Sequence, residues 1–387
     1  MLFNKFQRYQ TNKNWEKYRQ ARNYVTKIRR KSVKTYFIER CTGGCKSKDF
    51  WSTIKPFITN KGTITKKNTI IEENNVLVTD QKEIAEIFND YYVNVASSIG
   101  DNSIIIDDNH SSINKIDNIM NNCNSTLSFT SIDESFVTKQ INKMNSKKAT
   151  GHDGLSVKMI KLAEPIITKP LTKLINKSIE NSQFPKSFKI AQVAPIYKKK
   201  SSLDKANYRP VSLLPVMSKV FERAIYTQLM SHFDNIFNPF LSAFRPGYGC
   251  NTTLLKIVED WKASLEKNHY VAAVMMDLSK AFDCLPHNLL VLKLKHYGLD
   301  DKSVSLIDSY LSHRKQCVRV GDGHSSFQEI LKGVPQGSIL GPVLFNIFIN
   351  DIFEFVLESN LYNYADDNTL SYSSTSHENL VKVLEND

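Results

Sequence analysis

The chain has 387 residues, 41% of them hydrophobic and 23% charged, enough for two or three domains with ordinary globular cores. Its 6 cysteines are scattered, against a disulfide scaffold, and Lys5, Arg8, Lys13 and Lys17 interrupt every early apolar run, against a signal peptide. The net charge of +12 is concentrated at one end, since residues 1–67 hold 18 Lys/Arg against 3 Asp/Glu and the remainder 33 against 36.

Residues 14–40 are predicted to form one long helix, with Tyr18, Ala21, Val25, Ile28 and Val33 as an apolar stripe between basic faces and Gly43–Gly44 as its stop. Arg29, Arg30, Lys31 and Lys34 on it are candidate nucleic-acid contacts, because a concentrated basic excess displaces counterions from phosphate backbones. A solvated basic helix without a partner is the plainer alternative. Cys41 and Cys45 form a C-x3-C pair, but no second Cys/His pair follows at zinc-finger spacing, so they read as free thiols. The Asn- and Asp-rich stretch 100–124 reads as a linker, with Asp107 and Asp108 solvated in it.

A new domain is expected near Ser131, where Ser131 and Glu134 fit a capping box and Phe136, Val137, Ile141 and Met144 give a helix its apolar face. More helix follows, broken by Pro165 and Pro170. Residues 193–197 and 208–214 read as paired strands around a polar loop. Helices are expected near 216–232, 253–267, 286–296, 301–312 and 338–356, with strands at 270–277, 316–320 and 326–331 and a final hairpin at 361–373. This is an α+β pattern, with helices packed on a sheet. Ile339–Ile352, the most apolar stretch, is too short to span a bilayer and carries Asn346 and Asn350, so a soluble intracellular protein (cytoplasm or nucleus) is expected, with no membrane partner.

Two elements could carry chemistry. In VAAVMMDLSKAFDCLPH the apolar run Val271–Met276 reads as a buried strand that delivers Asp277 at its end, where a carboxylate is well placed to hold a cation. In LYNYADDNTLSY the alternation around Asp366 and Asp367 fits a hairpin with both acids at its tip. Adjacent carboxylates repel, so a fold that holds them rigidly calls for a cation. Brought together, Asp277, Asp366 and Asp367 could hold two Mg²⁺ ions for an in-line displacement. Taken singly, Asp-Asp in a turn is more often structural.

In order, the chain reads KKATGHDGLSVKMIK, VAPIYKKK, NYRPVSLLPVMSKVFER, LSAFRPGYGC, MDLSKAFDCLPH, GVPQGSILGPVLFNIFIND and YADD. This series resembles the reverse transcriptases of retrotransposons that lack long terminal repeats, most closely the jockey-like group of long interspersed elements. The resemblance runs from about Lys13 to Leu380 and is most specific from Lys147 onward. It implies a right-hand polymerase with fingers at 126–220 and a partial, ferredoxin-like palm at 221–387, preceded by a basic helical linker region at 1–125. The implied activity is RNA-directed DNA synthesis, with an RNA template, a DNA primer and deoxynucleoside triphosphates as partners and two Mg²⁺ ions, replaceable by Mn²⁺, as cofactors.

Residue by residue, the resemblance makes Asp277 and Asp366 the carboxylates on both metals, Asp367 the less direct third acid, and Leu278 a further member of the metal set. It makes Phe282 the steric gate against a ribose 2′-hydroxyl, with core packing as the plainer alternative. Gln336 and Gly337 would line the nucleotide pocket, and Arg209 with Lys198 and Lys199 would meet the triphosphate, a guanidinium offering phosphate a two-pronged fork. Arg245 would approach the template or the fingers core. The pattern stops soon after Asp367, before the family's thumb, and lacks its upstream endonuclease. A remnant that only binds nucleic acid is therefore the alternative reading, and a group II intron or telomerase-type enzyme fits the NYRPVSLL and GVPQGSILGPVLF blocks less well.

Overall fold

The computed structural model describes residues 2–41, 50, 54, 69–95, 106–121, 123 and 125–387. The chain forms two compact units, Met1–Lys67 and Asn68–Asp387.

In the first unit, α1 (Leu2–Arg8) is followed by the 30-residue α2 (Asn12–Cys41), which contains the whole of the expected helix. Aromatic pairs join them: Phe3 meets Tyr18 at 5.1 Å between ring centres and Phe6 meets Trp15 at 5.0 Å. Val25 and Ile28 of the expected stripe are exposed, as are Arg29, Arg30, Lys31 and Lys34. The Gly43–Gly44 stop, Cys45 and the side chain of Cys41 lie outside the described residues.

The second unit opens with a small hairpin, β1 (Ile71–Glu73) and β2 (Val76–Val78), and α3 (Gln81–Asn94), capped by Asp80, whose carboxylate accepts the backbone N–H groups of Lys82 and Glu83. Ile84, Phe88 and Tyr92 of α3 pack on Val193, Tyr208, Val318 and Val320 of a five-stranded sheet. That sheet runs β4-β3-β6-β7, with β8 also on β6: β3 (Ile190–Tyr197) and β4 (Tyr208–Leu213) are antiparallel, while β3 runs parallel to β6 (Arg314–Val320). β7 (Gly323–His324) and β8 (Gln328–Ile330) complete it. The stretch 69–95, assigned on sequence to a basic linker, is thus part of this packed sheet layer.

The remaining helices, except those at 250–266 and 377–386, build the main core. They are α4 (Ser111–Met120), α5 (Glu134–Lys143), α6 (Val157–Glu180), α7 (Val216–Phe233), α8 (Cys250–Glu266), α9 (His287–His296), α10 (Asp301–Leu311), α11 (Leu340–Ile349) and α12 (His377–Asn386). Seven consecutive positions of α11, Val343 to Ile349, include six that are buried, and α7 and α9 pack beside them.

Several expectations are corrected. The expected linker 100–124 contains α4, and its Ile113 and Ile116 are fully buried in the core. Asp107 and Asp108 there are exposed, as expected, and Asp108 lies 3.4 Å from the imidazole of His296. The cap of α5 is Asp133 rather than Ser131: its carboxylate accepts the N–H of Phe136 at 2.7 Å. Pro165 and Pro170 do not break the helix; both sit on the exposed face of α6, where the carbonyls they leave unbonded can meet water. The helix expected to reach 356 ends at Ile349 and continues as a 3-10 turn over Asn350–Glu354.

The second sheet has three strands in the order β5-β10-β9: β5 (Tyr270–Asp277), β9 (Asn360–Tyr364) and β10 (Asp367–Ser374). β5 is not the buried strand anticipated. As an edge strand it leaves Val274, Met276 and Met275 exposed, the last at 75%. No described helix is long and apolar enough to cross a membrane.

Candidate active site

β9 and β10 are joined by a two-residue turn, Ala365-Asp366, with Tyr364 paired to Asp367. Ala365 holds a left-handed φ of 58°, a conformation a side chain resists. Surrounding contacts hold it there. The buried Asn363 side chain donates to the carbonyl of Ala365 at 2.8 Å and to Asn368 Oδ1 at 2.9 Å. Ser242 N donates to the Asn363 carbonyl at 3.2 Å, and Tyr362 donates its hydroxyl to Asp260 at 2.7 Å. None of these supporting roles was drawn from the sequence; the polar residues alternating into YADD were the available signal.

β10 then carries the tip to β5. Asp367 is the cross-strand partner of Asp277, and Leu278 N donates to the Asp366 carbonyl at 3.1 Å. Asp277, Leu278 and Asp366 line one cavity of about 630 Å³. Neither Asp277 nor Asp366 makes a side-chain hydrogen bond or ion pair among the described residues. Asp367 is exposed beside them and is not among the lining residues.

Lys198, Lys199, Lys200 and Arg209 form another part of the cavity lining. They sit at the loop end of the β3–β4 hairpin, where Lys198 N donates to the Asn207 carbonyl at 2.9 Å and the Tyr197 hydroxyl bonds the Lys200 carbonyl. All four side chains are exposed. Phe282 also lines the cavity, and it is stacked on Phe345 at 4.6 Å and edge-on to Phe244 at 5.9 Å. The gate and the core-packing readings therefore describe the same ring.

Gln336 and Gly337 complete the lining. Ser212 N donates to the Gln336 carbonyl at 2.7 Å, tying this turn to β4. At Gly337, with φ 119°, a Cβ would stand 2.8 Å from the Ser212 carbonyl oxygen, so only glycine lets the two backbones approach. The turn is secured from behind by Glu222, fully buried on α7. Its carboxylate accepts Ile339 N at 2.6 Å, Leu340 N at 3.2 Å and the Ser218 hydroxyl at 3.0 Å. Burial pushes this carboxyl up, opposed by Arg314 and those donors.

Arg245 is where the structure departs from expectation. It is only 8% exposed, and Nη1 donates to the carbonyls of Asn238 at 2.9 Å and Leu241 at 3.0 Å. Its guanidinium lies over Tyr248 at 4.3 Å and Phe237 at 5.3 Å. The group expected to approach the template or the fingers core is spent on the backbone and rings of residues 237–248.

The oxygen donors of Asp277 and Asp366 suit a hard divalent cation. Among the described residues no three His, Cys, Asp or Glu side chains gather closely enough to enclose an ion. An ion here would need oxygens from a substrate or water besides the two carboxylates. That is how Mg²⁺ is usually held at phosphate-transfer sites.

Comparison with known proteins agrees with this geometry. Residues 196–386 match the family model described as reverse transcriptase (RNA-dependent DNA polymerase). The chain is 31% identical over 245 residues to a probable RNA-directed DNA polymerase from transposon X-element of Drosophila melanogaster, covering 62% of this chain and 27% of the relative. It is 32% identical over 219 residues to the RNA-directed DNA polymerase from mobile element jockey of the same organism, covering 56% and 24%. To a probable RNA-directed DNA polymerase from transposon BS, also of Drosophila melanogaster, it is 29% identical over 254 residues, covering 62% and 27%. The chain spans about a quarter of the length of these relatives. Residues 196–386 thus carry a match to the reverse transcriptase family, and the chain's similarity is to RNA-directed DNA polymerases from transposon X-element and mobile element jockey.

Proposed function

We propose that this chain performs RNA-directed DNA synthesis, extending a DNA primer on an RNA template with deoxynucleoside triphosphates. The observation that carries the reading is the shared cavity, in which Asp277 and Asp366 are lined up with Lys198, Lys199 and Arg209. In this reading residues 126–220 act as fingers and 221–387 as palm.

The basic side chains attract the triphosphate, Arg209 with its planar fork and the lysines as point charges. Asp277 and Asp366 would hold the divalent cations, with Asp367 adding negative potential at the tip and Leu278 a further member of the set. Two Mg²⁺ ions, when bound, supply activation of the primer 3′-hydroxyl and stabilisation of the leaving pyrophosphate. Phe282, braced by Phe345, excludes a 2′-hydroxyl by bulk. Gln336 and Gly337 bring side chain and backbone against the nucleotide.

The exposed Arg29, Arg30, Lys31 and Lys34 of α2 support a second, compatible role for the first unit, binding the nucleic-acid backbone. Primer extension by the purified chain on an RNA template tests the reading. Template-dependent incorporation with Mg²⁺ or Mn²⁺ is expected. Failure with both metals, while RNA is still bound, leaves the nucleic-acid-binding remnant as the function.

A further inference from the structure

Gln336 is gripped from its far side. Its Nε2 donates to both oxygens of Asp283, at 2.8 and 3.0 Å. An ionised carboxylate can only accept, so the amide cannot turn over: Nε2 is committed to Asp283, and Oε1 is left without a partner among the described residues. The backbone is strapped down alongside, Gly333 N to the Leu285 carbonyl at 2.7 Å and Val334 N to the Phe282 carbonyl at 2.8 Å. Asp283 itself is half-buried, and the loss of water around it pushes its carboxyl up, against the Gln336 bond and Lys280. Asp283 and Gln336 line both the large cavity and a chamber of about 30 Å³ that also touches Tyr92, Arg314 and Gln316. The pair forms part of the partition between them.

We propose that Asp283 is a positioning residue for the incoming nucleotide, holding the Gln336 amide in one orientation so that the cavity presents a fixed hydrogen-bond acceptor. This rests on the polymerase reading of the cavity. A free glutamine has several side-chain rotors, and ordering them on every binding event weakens affinity by about tenfold. The Asp283 grip orders them beforehand.

The test is a double-mutant cycle on the full chain, read as affinity for a fluorescent deoxynucleoside triphosphate with Mg²⁺, with thermal melting to confirm folding. Asp283→Asn and Gln336→Ala should each weaken binding about tenfold, and the double variant should be no weaker than either single one. Additive losses, or wild-type affinity in Asp283→Asn, overturn the proposal. Gln336→Asn keeps the amide but withdraws it from Asp283, and it should bind as weakly as Gln336→Ala. Wild-type affinity there overturns the proposal even if Asp283→Asn does not fold. Absence of binding by the wild-type chain would instead remove the polymerase reading itself.

Discussion

Asp277 and Asp367 stand directly opposite one another across the antiparallel pair of β5 and β10, while the turn residue Asp366 accepts the N–H of Leu278. Like charges facing each other across a ladder destabilise it, so the arrangement calls for a cation. Asp277→Asn and Asp366→Asn are expected to lower primer extension by about 10²–10³-fold, the scale of removing one electrostatic contributor to a transition state. Asp277→Asn should also raise Tm slightly, since it relieves the repulsion. Extension rates and melting curves measured together check this; undiminished synthesis would end the metal assignment.

Phe282→Val should admit ribonucleotides, because the bulk against a 2′-hydroxyl is gone. It should also cost about 2 kcal/mol of stability through the lost stack on Phe345. Competition between ribo- and deoxynucleotides in single-turnover extension reads the first effect. Unchanged discrimination alongside lost stability would return the ring to the core alone.

Glu222 gives a pH dependence. Burial raises its folded pKa above the ordinary 4.5. Its contribution to stability is therefore fully present below about 4.5 and is lost as pH rises through the raised folded value. Glu222→Gln can still accept the N–H groups of Ile339 and Leu340, and it should be relatively more stable toward neutral pH. Urea unfolding across a pH series measures the difference; parallel curves for the two proteins would contradict it.

Lys293 and Asp351 form an ion pair at 2.6 Å, their side chains 5% and 3% exposed, with Lys293 Nζ also donating to the Phe348 carbonyl at 2.8 Å. Lys293→Met should cost about 3–5 kcal/mol, because it strands a buried carboxylate. Adding Asp351→Leu should recover much of that loss, which equilibrium unfolding of the two variants reads directly.

Deleting residues 1–67 removes the basic excess and the exposed cations of α2. The dependence of log affinity for RNA on log salt should flatten, each lost phosphate contact reducing the slope by roughly 0.7 for single strands. A slope equal to that of the full chain places the phosphate contacts in the second unit.

Much of the site was readable because it is local. The alternation around YADD, the strand ending at Asp277 and the VPQGS turn each announce themselves in a short window, and the structure realises all three. What brings them together is not local, and there the sequence spoke less clearly. An apolar run such as Val271–Met276 says that cover is wanted, not whether a neighbour supplies it, and β5 proved to be an edge. Arg245, expected at the template or the fingers core, is instead enclosed by Phe237, Tyr248 and two carbonyls. Pro165 and Pro170 looked like helix breaks, since their cost depends on which face they occupy. Two supports of the site, Glu222 and Asp283, lie far along the chain from the residues they hold, where no periodicity could point to them, whereas Asn363 stands two residues from Ala365 in the same hairpin.

The strand order of the second sheet also bears on how the protein is made. Among the described strands β5 has only β10 for a neighbour, and the link between Ser371 and the Ala272 carbonyl spans 99 residues. Closing so long a loop is entropically slow compared with forming hairpins. During synthesis the strand bearing Asp277 leaves the ribosome well before its mate, with the backbone groups that later pair with β10 unbonded in the interval. A nascent chain of this kind is most vulnerable to sticking and to chaperone capture in that window.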